Sequence, residues 1–218
     1  MGEIPILNDK QKTILKEFSQ DPFFSSSFYF TGGTALSAYY LQHRESVDLD
    51  FFSEKKFDTR QISTKVEAWR ETHQFTLTTR FVDPLYIFFL RFPDGQELKV
   101  DFNYYPYKHI EDFQKIEGIR VDSKLDIAVN KLLTVTQRTE VKDFVDLFFL
   151  LQDYSFWDLR VGVERKFRME IEPLLIAADF LAVEEFEFLP KMLKPLTLEE
   201  LKEFYRELAK KLGKQSVG

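Results

Sequence analysis

Apolar and polar positions change period several times along the chain, and each change marks an element. From Asn8 onward, Ile14, Leu15 and Phe18 share one face at helical spacing, and Asp21-Pro22 ends that run. A serine link at Ser25 to Ser27 leads into an apolar strand, Phe28-Tyr29-Phe30, which stops at Thr31-Gly32-Gly33. Thr34 to Gln42 predicts a helix with Ala35, Leu36, Tyr39 and Tyr40 on one side. Val47 to Phe52 alternates as a strand does: Val47, Leu49 and Phe51 face one way, Asp48 and Asp50 the other. Asp58 can cap a helix running to Thr72, and two β-rich runs follow, Phe75 to Val82 and Leu85 to Phe92, joined at Asp83-Pro84. Pro93-Asp94-Gly95 is a turn signal that pairs Glu97 to Tyr104 back as a further strand.

After Ile119 the pattern turns helical. Ser123 can cap a helix from Lys124 to Arg138 whose buried stripe is Leu125, Ala128, Leu132 and Val135. Val141 to Gln152 predicts a second helix. Phe156 to Leu212 stays helical, punctuated by Pro173, Pro190 and Pro195. The expectation is an α+β chain: a mixed sheet covered by helices on one face over residues 1–118, then a helical region over 119–218.

Composition narrows the classes. With no cysteine there is no disulfide framework, no thiolate nucleophile and no thiolate zinc site. Met1 to Leu7 shows no basic stretch leading into a long apolar one, and the apolar run Phe144 to Leu151 is broken by Asp146 and too short for a bilayer. A cytoplasmic protein without membrane contact is expected. The net charge of -6 argues against a broad nucleic-acid-coating surface while leaving room for a local basic groove. The 24 phenylalanines, against 8 glycines, are expected to fill the core and not to form a base-stacking platform.

Candidate chemistry starts at Asp48 and Asp50. Strand residues two apart share a face with Cα atoms roughly 6.5–7 Å apart, a spacing from which two carboxylates can converge on divalent cations. Hard oxygen donors suit Mg²⁺ or Mn²⁺. Alone, Asp-x-Asp equally describes two solvated acids on an exposed strand face. Gly32-Gly33, one helix upstream between a strand and a helix, could present backbone N–H groups to a phosphate, or could serve turn geometry only. Asp101, in the apolar run Leu98-Lys99-Val100-Asp101-Phe102, is a candidate third acid that could also accept a proton from an attacking hydroxyl. Lys131 lies among Ala128, Val129, Leu132 and Leu133 and needs an acid or a phosphate, or snorkels to solvent. Arg44, just before the acidic strand, could offset phosphate charge. Asp146 is expected to tie to a basic group, leaving Asp143 as the site candidate on that helix, while His43, His73 and His109 form no cluster at metal-ligand spacing.

The string GGTALSAYYLQHRESVDLDFF (Gly32 to Phe52) resembles the signature of the AbiEii/AbiGii toxin family, within the polymerase-β-like nucleotidyltransferase superfamily. DIAVNKLLTVTQRTEVKDFVDLFFLL (Asp126 to Leu151) resembles that family's helical motif. The resemblance implies a polymerase-β-like nucleotidyltransferase domain with a helical C-terminal region. It also implies metal-binding roles for Asp48, Asp50 and Asp101, a nucleotide-phosphate contact for Lys131, and a motif acid at Asp143. Two departures stand out. The superfamily's usual Gly-Ser turn is Gly32-Gly33 here, so the serine's contact falls to backbone or to Thr34, and the family's frequent Arg-Asp pair is Lys142-Asp143.

Together these readings lead to an expected metal-dependent transfer of a nucleoside monophosphate from an NTP to an acceptor hydroxyl. The resemblance implies a toxin-type or phage-defence enzyme with a cognate antitoxin, and an RNA acceptor such as the 3′ end of a tRNA. Two alternatives remain: an antitoxin-type nucleotidyltransferase that adenylylates a protein partner, and a catalytically inactive nucleotide-binding module.

Overall fold

The computed structural model describes residues 6–216; most of the Met1 to Leu7 segment considered above lies outside them. The chain divides into two compact units. The first comprises residues 1–38, 46–108 and 112–123, and the second residues 39–45, 109–111 and 124–218.

The first unit is built on a sheet that has seven strands among the described residues. In chain order they are β1 (Tyr29–Thr31), β2 (Leu49–Ser53), β3 (Thr76–Val82), β4 (Leu85–Arg91), β5 (Glu97–Tyr104), β6 (Gln114–Ile116) and β7 (Ile119–Val121). Across the sheet they run β3-β4-β5-β2-β1-β7-β6, with β2 parallel to β5, β1 parallel to β7 and the other neighbours antiparallel. The sheet is mixed, and the architecture is α+β as the pattern predicts. It continues three residues beyond the expected boundary at 118/119, because Ile119–Val121 pairs back onto β6 and β1.

Helices α1 (Asp9–Gln20), α2 (Pro22–Ser27) and α4 (Thr59–His73) cover one sheet face, while α3 (Gly32–Leu36) links β1 to a π-helical turn at Ser37–Leu41. Asn8 starts α1 with a reciprocal capping box to Gln11, and Asp58 caps α4 through Arg60 N. Leu49 and Phe51 of β2 and Leu98, Val100 and Phe102 of β5 point to the covered face and are fully buried. Phe18 stacks on Phe51 with centroids 4.0 Å apart, Phe24 lies 5.2 Å from Phe102 and 4.9 Å from Trp69. These rings fill the layer between helices and sheet, the use expected of the phenylalanine excess in this unit. The same alternation puts the acids on the opposite face.

Three expected boundaries moved. The serine link is the helix α2, because Asp21 caps it through Phe23 N and Pro22 supplies a ready-made first turn. The helix expected from Thr34 begins two residues earlier and widens into the π turn, which Gln42 ends with φ 51°. β6 and β7 were not expected, since three-residue strands carry too little periodicity to register.

The second unit is helical: α5 (Lys124–Val135), α6 (Val141–Leu150), α7 (Phe156–Phe167), α8 (Pro173–Phe180), a 3₁₀ turn at Leu181–Glu185 and α9 (Leu198–Ser216). Phe144, Phe180 and Tyr205 form its aromatic centre, where the Tyr205 hydroxyl donates to the Phe144 carbonyl at 2.7 Å. α5 and α7 approach so closely at Gly162 that an added Cβ would collide with Val129. No helix among the described residues is long and apolar enough to cross a membrane.

Candidate functional site

The candidate acids of the first unit fall into one row on the sheet face opposite α1, α2 and α4. Register places Thr31 beside Asp50, Asp50 beside Asp101, and Asp101 beside Ile87, across β1, β2, β5 and β4. Parallel neighbours in such a row are spaced about 4.8 Å apart, so Asp50 and Asp101 are adjacent carboxylates. Asp101 is 4% exposed. Asp48 precedes β2 on the same face as Asp50.

Gly32 shapes the upstream wall. Its φ of +77° is open to glycine at little cost, and a Cβ there would collide with Oδ2 of Asp50. The residue is therefore required twice, for the turn and for the close approach of the carboxylate. Thr31, the N-cap of α3, gives that helix no side-chain cap because its hydroxyl donates to Asp122 at 2.7 Å. The first N–H groups of α3, those of Gly32 and Gly33, are thus left without a Thr31 oxygen over them.

Thr34, a candidate for a phosphate contact, bonds within the first unit. It is 1% exposed, and its hydroxyl donates to the Asp48 carbonyl at 2.5 Å and shares a 2.8 Å bond with Ser46. Gln11 of α1 grips the same segment, donating to the carbonyls of Ser46 and Val47 at 2.9 and 3.1 Å. Thr34 and Gln11 together fix the entry to β2.

Lys99 was missed as a site residue, although strand alternation puts it on the face of Asp101. Its ammonium bonds the Asp101 carboxylate and lies 3.7 Å from Oδ2 of Asp48. Burial pulls its pKa down, but Asp101, Asp48 and Asp50 outweigh this and hold it above the ordinary lysine value. The donor set of Asp48, Asp50 and Asp101 is all carboxylate oxygen, the chemistry that hard divalent cations select. A cationic group already seated against it fits that preference. Among the described residues no three acids converge tightly enough to cage an ion; the lysine stands between them.

The second unit gathers the remaining candidates into a buried ion cluster. Asp146 is fully buried and accepts from Arg44 through Nε at 2.6 Å and Nη2 at 2.9 Å, bonds His43 at 2.7 Å, and pairs with Lys131 at 2.6 Å. Asp143, also fully buried, binds Lys131 at 2.6 Å and the half-exposed Arg138 at 2.8 Å. Burial opposes the charge of Asp146, yet Lys131, Arg44 and the His43 bond bring its pKa well below the carboxylate range. Burial likewise works against Lys131, and Asp146 with Asp143 overrides it to hold the ammonium high. Burial is the larger influence on His43 and keeps it below its ordinary value despite Asp146.

The expected tie of Asp146 to a basic group is present. Arg44, a candidate for phosphate, and Lys131, expected to need an acid or a phosphate, are ion-paired with aspartates, and Asp143 is enclosed between two cations. Low-dielectric surroundings make such pairing obligatory for groups this deep. The sequence could not show it, because residues 43 and 44 meet position 146 only through the fold. His73 pairs with Glu17 at 2.9 Å, away from any cluster.

A sequence profile described as "Nucleotidyl transferase AbiEii toxin, Type IV TA system" matches residues 13–215. An uncharacterized protein of Aquifex aeolicus is 37% identical over 144 residues, 62% of this chain, so the chain spans about three fifths of that relative's length (62%). Among solved structures, a putative nucleotidyltransferase from H. pylori superimposes with a TM-score of 0.59 at 22% identity, covering 96% of this chain and 97% of the other. MenT4, a nucleotidyltransferase toxin from Mycobacterium tuberculosis, gives 0.57 at 17% identity, over 94% and 82%. These two likenesses show the fold, and the profile match extends over both units. The chain belongs to the AbiEii nucleotidyltransferase toxin family of type IV toxin–antitoxin systems.

Proposed function

We propose that the protein transfers a nucleoside monophosphate from an NTP to a hydroxyl of an RNA, with the tRNA 3′ end as the favoured acceptor and with Mg²⁺ or Mn²⁺ required. The observation that carries this reading is the row of Asp48, Asp50 and Asp101 on one sheet face, with Gly32 packed against Asp50.

In this reading the acceptor oxygen attacks the α-phosphorus, the α–β phosphoanhydride bond breaks, and pyrophosphate leaves with the bonding electrons. Asp101 takes the hydroxyl proton on a carboxylate oxygen, a role suited to an acid held in a nearly dry strand row. Gly32 and Gly33 offer backbone N–H groups to the triphosphate, next to the Asp50 carboxylate against which Gly32 packs. Asp48, Asp50 and Asp101 would hold the divalent cation, which when bound supplies positive charge beside the reacting phosphate. The ion cluster around Asp146 keeps the segment of His43 and Arg44 in place within the helical unit. Lys131, implied by resemblance to meet the nucleotide, is paired with Asp143 and Asp146 within the helical unit. A cognate antitoxin is the expected protein partner.

Incubation of purified protein with Mg²⁺, each labelled NTP, total RNA and total protein tests the reading. Label on RNA supports it, and Asp50→Asn should lower that transfer by about two orders of magnitude or more, the loss typical when charge stabilisation in a transition state is removed. Label on protein would favour the adenylylating alternative. No transfer with any NTP would leave a binding module.

A further inference from the structure

The Lys99 ammonium sits against two of the three acids in the row. It bonds Asp101, lies 3.7 Å from Asp48, and also feels the charge of Asp50. Asp50 and Asp101 are direct neighbours across β2 and β5, and like charges so close in a half-dry row repel strongly. One positive charge on a flexible four-carbon stem offsets that repulsion. Its side chain is 31% exposed, so the stem has an open route to solvent.

We infer that Lys99 is a tethered place-holder cation, which holds the acid row together without metal and withdraws when a divalent cation binds. The inference rests on the metal assignment proposed above and deepens it. Ammonium and metal cannot both sit against the same carboxylate oxygens, so each weakens the other's hold by the same factor. Lys99 is a positioning residue in this sense: it sets the affinity for metal, touching neither nucleotide nor acceptor. Without it, the row loses the ammonium that bonds Asp101 and lies near Asp48, and the metal-free protein would be the form that suffers.

Mn²⁺ titration followed by electron paramagnetic resonance, in the absence of nucleotide, reads this directly. Lys99→Met should bind Mn²⁺ at least about fivefold more tightly than the unaltered protein, the lower end of ordinary coupling between competing ligands. Its melting temperature should fall in EDTA and recover on Mn²⁺ addition by more than that of the unaltered protein. Lys99→Gln, which keeps a polar end without charge, should behave alike and serves if the methionine variant folds poorly. Lysine acylation read by mass spectrometry gives a test on the unaltered chain: Mn²⁺ should raise modification of Lys99 relative to the exposed Lys55.

Equal or weaker Mn²⁺ binding by both variants, or Lys99 acylation indifferent to Mn²⁺, would overturn the inference. Asp50→Asn separates this failure from failure of the metal assignment. If it abolishes Mn²⁺ binding while Lys99 variants change nothing, only the place-holder role is lost. If it binds Mn²⁺ as the unaltered protein does, the acid row is not the metal site and both readings go.

Discussion

Gly32 and Asp50 lie 18 positions apart in the sequence (50 − 32), yet each is placed by the other. Replacing Gly32 by Ala imposes a side chain at φ +77° and drives a methyl into the Asp50 carboxylate. Urea unfolding should show a loss of about 1–3 kcal/mol, the usual cost of a strained backbone site, and transfer should fall with it because Asp50 must shift. Asp146 presents the opposite kind of dependence. Asp146→Ala would remove the carboxylate that the buried Arg44 and Lys131 share, and denaturant titration should register about 3–5 kcal/mol. Arg138→Ala, at a half-exposed position on Asp143, should cost about 1 kcal/mol or less. A larger loss at Arg138 than at Asp146 would mean that the cluster is anchored from outside.

Among elements, α1 has a role its amphipathic pattern does not reveal. Its apolar stripe of Ile14, Leu15 and Phe18 is legible in the sequence and packs against the sheet. Gln11, on the same helix, clamps the carbonyls that precede Asp48. Gln11→Ala removes both bonds and leaves two carbonyls to find water, which should cost about 1–3 kcal/mol. Because those bonds set the entry to β2, kcat should drop while thermal unfolding stays cooperative; an unchanged kcat would show that the strand alone positions Asp48. The meander of β3, β4 and β5 was legible because each strand spans seven or eight residues and a turn signal separates the last two. The β6–β7 hairpin and the π turn were not. Three-residue strands show no period, and a π turn arises from how a helix is forced to widen and not from residue type.

For the whole molecule, the buried ion pairs tie stability to pH. In the folded state burial works against ionised Asp143, Asp146 and Asp126, and Lys131 with Arg138, Lys131 with Arg44, and Lys166 respectively override it, lowering all three pKa values. A carboxyl whose folded pKa lies below its unfolded value of about 3.9 adds stability above that pH and loses it as pH falls toward the folded value. His43 is also held below its ordinary value, so the unfolded chain gains that proton first, from about pH 6.5 downward. Chemical-denaturation midpoints should therefore decline in two stages, gently below about pH 6.5 and steeply below about pH 4. His43→Gln should flatten the first stage and spare the second; a flat profile down to pH 3 would mean that these aspartates are not paired in solution.

The sequence alone determined what is local. Alternation put Asp48, Asp50 and Asp101 on strand faces, capping residues started α1 and α4, and two strings carried the family resemblance, because period and spacing are properties of neighbouring residues. Only the tertiary structure decided what those residues meet. Parallel pairing of β2 with β5 made Asp50 and Asp101 neighbours and brought Lys99 among the acids. Folding of the helical unit gave Arg44 and Lys131, both candidate phosphate contacts, their partners Asp146 and Asp143. A charge is written in the sequence, but its counter-ion is chosen by the distance between segments that the chain keeps far apart.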